Sequence, residues 1–103
     1  VNELDTYIMN NEDLYRRRFM PIISNIKRKL AKNVYDHEKA QTLWMYLVDD
    51  AAKEYVKEFG SQQDDVKDMF PKETRQQVAQ VISDRELENI KQGEYDAPPG
   101  TVS

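Results

Sequence analysis

From Tyr35 to Phe59 apolar residues recur at steps of three and four with no proline or glycine between them. That run constrains the fold more than any other feature of the chain. Ala40, Trp44, Leu47, Val48, Ala51, Ala52, Tyr55 and Phe59 fall on one side of a 3.6-residue helix, the pattern of a helix with one buried stripe. Asp36 is placed to cap its start, and Gly60 to close its end in the left-handed conformation. The spacing predicts a helix over 36–59 and a core assembled against its apolar side.

Two further helices supply that core. Asn11 reads as an N-cap, with Glu12 and Asp13 where the helix dipole favours negative charge. Tyr15, Phe19, Ile22, Ile23, Ile26 and Leu30 then share an arc about 100° wide at about 100° per residue. Pro21 interrupts the hydrogen-bond ladder, yet the arc keeps its register across it, so the pattern predicts a helix over 11–32 kinked at Pro21, with Asn33 at its C-terminal end. After a polar connection over 61–68, Met69 and Phe70 return to the core and Pro71 opens a helix over 71–92 that carries Val78, Val81 and Ile82. Ser83 and Glu86 have the spacing of a capping box, flanked by Ile82 and Leu87 as a staple, which predicts a break at Ser83. One bent helix is the alternative. A short helix around Leu4 to Met9 completes the set, with Leu4, Tyr7 and Ile8 as its apolar residues.

No segment alternates with period two over a strand's length. The predicted class is all-α: a compact bundle of three principal helices plus short ones, one domain over 1–93, and a mobile tail over 94–103. Trp44, Leu47, Ala51 and Tyr55 are expected against Ile22, Ile23, Ile26, Val78 and Ile82.

Composition narrows the functions. There is no cysteine, which removes disulfides, thiol nucleophiles and thiolate metal sites, and fits a reducing cytoplasm. No run approaches the roughly 20 apolar residues that cross a bilayer, so no membrane role is expected. The net charge of −4 is unevenly spread. Residues 1–34 carry seven basic against four acidic side chains, a net +3, and residues 35–103 carry eight against fifteen, a net −7.

Little in the chain suggests catalysis. The one histidine, His37, lies beside the N-cap Asp36, where an imidazole is ordinarily solvated, and nothing supplies it a nucleophile. Asp50, Glu54 and Glu58 stand four apart, but Lys53 and Lys57 interleave with them as on any solvated helix face. Three glycines, at 60, 93 and 100, build no phosphate-cradling loop. The expectation is a non-enzyme without cofactor or metal.

Two surfaces stand out instead. Arg16, Arg17, Arg18, Lys27, Arg28, Lys29 and Lys32 fill the polar arc of the second helix, a pattern able to grip phosphates, although no known nucleic-acid module accompanies it. On the charged side of the central helix, Tyr46 with Leu43, ringed by Asp49, Asp50 and Lys53, has the look of an interface anchor inside a polar rim. Leu43 and Tyr46 lie outside the buried arc, which also predicts a weak homodimer through that face.

Tyr35-Asp36, Leu43-Trp44, Tyr46-Leu47-Val48-Asp49, Ala51-Ala52-Lys53, Tyr55-Val56-Lys57-Glu58-Phe59, Phe70-Pro71, Arg75 and Val78-Ala79 resemble, in order and wording, small uncharacterised helical proteins of bacteriophages and mobile elements. The resemblance spans roughly residues 15–95 and includes no functional motif. It implies a protein that binds a host or phage protein and alters its activity, in the host cytoplasm. The expected function is protein binding through exposed helix faces, with Leu43, Tyr46, Asp50 and Lys53 as the contact. Nucleic-acid binding through residues 16–32 is the alternative, and an acidic DNA-mimic inhibitor the third reading.

Overall fold

The computed structural model describes residues 3–60 and 65–95, all of them in helices or the turns that join them. Helix α1 is Glu3–Asn10. One continuous helical path, α2, follows as an α-turn Glu12–Leu14, a π-helical segment Tyr15–Phe19 and an α-helix Met20–Ala31. Then come α3 over His37–Phe59, the single turn α4 over Val66–Met69, and α5 over Lys72–Lys91. The all-α bundle expected from periodicity is the architecture found. No strand occurs among the described residues.

Asn11 caps α2 by accepting from the Leu14 N–H at 3.0 Å. Pro21 brings neither a break nor a helix end. The path widens just before it: the Met20 N–H reaches back five residues to the Tyr15 carbonyl. A proline ring collides with the carbonyl four residues earlier, and a π-turn is one way to move that carbonyl aside while keeping the helix going. Phe19 and Ile23 thereby stay on the same core. At the far end Asn33 takes the left-handed conformation (φ 60). Its N–H bonds the Leu30 carbonyl at 3.1 Å, and the Val34 N–H bonds that of Lys29 at 2.9 Å, the paired closure of a Schellman motif.

Helix α3 begins where the sequence places it. Asp36 accepts from the N–H groups of Glu38 (3.0 Å) and Lys39 (3.2 Å). Its end differs: Gly60 is extended (φ −87, ψ 168) rather than left-handed. The buried stripe is also shorter than expected. Ala40, Trp44, Leu47, Val48, Ala51 and Ala52 are buried, but the stripe closes on Val56; Tyr55 is half-buried and Phe59 is 61% exposed. Among the described residues the ring neighbours of that last turn are Tyr7 of α1 and Phe70, too little cover for both aromatics.

Trp44, fully buried, lies at the centre with the Phe19 ring 5.1 Å away. Ile23, Ile26, Leu47, Val78 and Ile82 complete the cluster, and Ile22 is half-buried at its edge. Phe70 returns to the core as expected, whereas Met69 is 36% exposed and Val81 57% exposed. Helix α5 runs unbroken through Ser83, because Ser83 and Glu86 both point into the protein (each 1% exposed) instead of capping a new start. It ends as α2 does, at Gly93 (φ 82), with Gly93 N–H to Ile90 and Glu94 N–H to Asn89. The expected tail from 94 onward starts too early: Tyr95 is half-buried, 6.5 Å from the Phe19 ring. Residues 96–103, most of that tail, lie outside the described residues, as do 61–64 of the acidic connection.

Candidate interaction surface

The outward side of α3 carries the candidate site. Its residues alternate around the arc opposite Trp44, and neighbouring elements grip the two edges of that arc. On one edge Arg18 of α2 pairs with Asp50 at 2.9 Å. On the other, Arg75 of α5 pairs with Asp49 at 2.6 Å and donates from Nε to the Phe70 carbonyl at 2.9 Å. Between these two struts stands Tyr46, 60% exposed, with Thr42 one turn before it and Lys53 two turns after it, both exposed. Leu43 is half-buried and forms the apolar shoulder of the ridge. A depression of about 230 Å³, lined by Leu14, Arg17, Arg18, Asp50, Lys53 and Glu54, opens beside it.

The structure thus joins parts of the two sequence-predicted surfaces. Arg17 and Arg18 from the basic set meet Asp50 and Lys53 from the central-helix set in one depression. The rest of the basic set divides. Arg16 pairs with Glu12, and Arg17 grips Asp13 with an Nε–Oδ1 bond of 2.8 Å. Hydrogen bonding to Arg17 holds the Asp13 carboxyl below its ordinary range. Lys27 donates to the Tyr95 carbonyl at 3.3 Å. No ion pair engages Arg28, Lys29 or Lys32 among the described residues.

His37 is the exposed first residue of α3, with the Tyr35 hydroxyl 3.1 Å from Nδ1 and Asp84 3.9 Å from Nε2. Neither contact orients it toward a nucleophile. Among the described residues no group of three or more histidine, aspartate or glutamate side chains is placed to hold a metal ion, and no helix is long and apolar enough to cross a membrane.

Two features escaped the sequence reading. Glu86 is buried among polar partners: Arg85 Nε at 2.7 Å, Asn89 Nδ2 at 3.2 Å and the Tyr95 hydroxyl. Arg85 reaches on to Asp5 of α1 with bonds of 2.6 and 3.1 Å, tying α1 to α5. Burial, then donation to Glu86, pushes the Tyr95 phenol well above its ordinary range. The second feature is an aromatic cluster of Tyr7, Tyr55 and Phe59, which periodicity assigns to the core. A wheel gives the direction of a side chain, never whether a neighbour exists in that direction. No protein-family model matches the chain, and no curated protein or solved structure is significantly similar to it.

Proposed function

We propose that this protein is a small non-enzymatic binding protein that docks on another protein through the Tyr46 ridge of α3 and modulates it. The observation that carries this reading is Tyr46 itself. A large aromatic stands 60% exposed between two ion pairs that fix their own side chains, Arg18–Asp50 and Arg75–Asp49. Interface anchors are enriched in tyrosine and work when a polar rim excludes water around them. Holding that rim in place before binding lowers the ordering cost of association. Lys53 and Leu43 extend the contact on either side. A phage or mobile-element origin, which the resemblance implies, fits a role of this kind in the host cytoplasm.

The test is capture of partners on a tagged protein from native cells, wild type against Tyr46→Ala and Lys53→Glu. The reading expects Tyr46→Ala to weaken recovery of a specific protein about tenfold or more, the scale of an interface anchor. Equal recovery by wild type and both variants would overturn it. The weak homodimer expected through the same ridge is a distinct outcome: sedimentation equilibrium would show it, and Tyr46→Glu would abolish it.

Arg28, Lys29 and Lys32 at the end of α2, which form no ion pair among the described residues, favour nucleic-acid binding as a second reading. Carboxylates already engage Arg16, Arg17 and Arg18, which leaves this reading a smaller surface than the sequence suggests. It requires affinity that falls steeply with salt, and its loss on Arg28→Glu with Lys32→Glu. The absence of any DNA or RNA shift at low salt would end it.

A further inference from the structure

We propose that the groove between α1 and the last turns of α3 receives a cationic side chain, an arginine or lysine presented beside an apolar residue on a partner protein. Glu3, Thr6, Tyr7 and Asn10 of α1 and Tyr55 and Phe59 of α3 line a concavity of about 530 Å³. Its aromatic walls stand at steep angles to one another. The Tyr7 ring lies 5.3 Å from Tyr55 at 79° and 6.1 Å from Phe59 at 82°, while Tyr55 and Phe59 are 4.8 Å apart at 49°. Phe59 is the most exposed large apolar residue described, at 61%.

The charges decide what belongs there. Tyr7 donates its hydroxyl proton to Glu58 at 2.8 Å, and Tyr55 donates to Glu3 at 3.3 Å. Each bond locks a ring and feeds electron density into it, and each leaves a carboxylate at the rim. No lysine or arginine lines the groove among the described residues. Electron-rich ring faces together with carboxylates that form no ion pair among the described residues attract a cation twice over, through the ring quadrupole and through direct charge. The same carboxylates repel a phosphate backbone, so nucleic acid does not fit.

The groove is open on the Phe59 side, and a small free cation would keep most of its water there. A cation carried on a protein segment brings an apolar neighbour that covers Phe59 as it docks. This site is separate from the Tyr46 ridge and does not depend on it.

The experiment is an NMR titration of the full chain with two short amphipathic helical peptides, one of arginine and leucine and one with glutamate replacing each arginine. The arginine peptide should shift the amide signals of Thr6, Asn10 and Phe59, and the glutamate peptide should not. Phe59→Ala and Glu58→Gln should each weaken binding about threefold to tenfold, the scale of one partly desolvated cation–π contact. Trp44 fluorescence reports that both variants remain folded. Tyr46→Ala should leave the titration unchanged, which separates this site from the ridge. Equal shifts with both peptides, or undiminished binding by both groove variants, would overturn the proposal. So would shifts at these amides that follow protein concentration alone, since a second copy would then be the occupant.

Discussion

Helices α3 and α5 face one core and bury different chemistry in it. The central helix buries apolar side chains: its inward residues are Ala40, Trp44, Leu47, Val48, Ala51, Ala52 and Val56, and the Trp44 Nε1–H is buried there without a hydrogen-bond partner among the described residues. The C-terminal helix buries Val78, Ala79, Ile82 and Ile90, but also Ser83 and Glu86, and it leaves Val81 in solvent. Apolar burial is non-directional, so α3 specifies a face and a depth. A buried carboxylate is tolerable only with its partners in place, so Glu86 specifies which residues of α1, α5 and the closing turn must meet. One helix supplies the driving force and the other fixes the arrangement.

Trp44→Ala should produce the largest effect. Loss of a large aromatic from the centre of the core costs about 3–5 kcal/mol, a sizeable part of the ~5–15 kcal/mol available to a domain of this size. Denaturant unfolding measures it, and a loss near zero would remove α3 from its role. Glu86→Ala should cost about 2–4 kcal/mol, because Arg85, Asn89 and Tyr95 lose their shared acceptor. If Glu86→Ala were neutral, the contrast between the helices would fail, since burial alone would hold α5.

Tyr95→Phe sharpens the comparison, with an expected loss of about 1–2 kcal/mol for one hydrogen bond to a charged acceptor. It also carries a pH signature. The folded-state pKa of Tyr95 is raised above its ordinary 10.0, so its contribution is complete below that pH and is lost as pH rises beyond it toward the folded value. Tyr7, Tyr35 and Tyr55 shift in the same direction, so the wild type should lose stability with alkali. Thermal melts above pH 10 should show a shallower loss in Tyr95→Phe than in the wild type. The smallest effect on folding belongs to Tyr46→Ala, within ~0.5 kcal/mol, because Tyr46 projects into solvent.

The contrast also explains what could be read in advance. Helix α3 was legible to within a residue at its start, since Asp36 caps it and its stripe is periodic. The path through Pro21 was legible as continuity, because Phe19 and Ile23 stay in register, but the π-turn that permits it leaves no mark in apolar spacing. Ser83 and Glu86 misled for a physical reason: a capping box and two inward-facing polar residues use the same residue types at the same spacing, and only the partners that Arg85, Asn89 and Tyr95 give to Glu86 separate the two. Tyr46 was identifiable as off-stripe from its angle. Phe59 was not identifiable as exposed, since its angle is that of a core residue and only the lack of cover at the end of α3 reveals it.

The proposed function assigns α3 two faces, one for folding and one for binding. Its most direct test is a photo-crosslinking amino acid placed at position 46, with position 81 as an exposed apolar control on α5, irradiated in native cells. A discrete protein adduct, resistant to nuclease, is expected from position 46, and none from position 81. No adduct at 46, the same adduct from both positions, or an adduct that nuclease removes would contradict the proposed function.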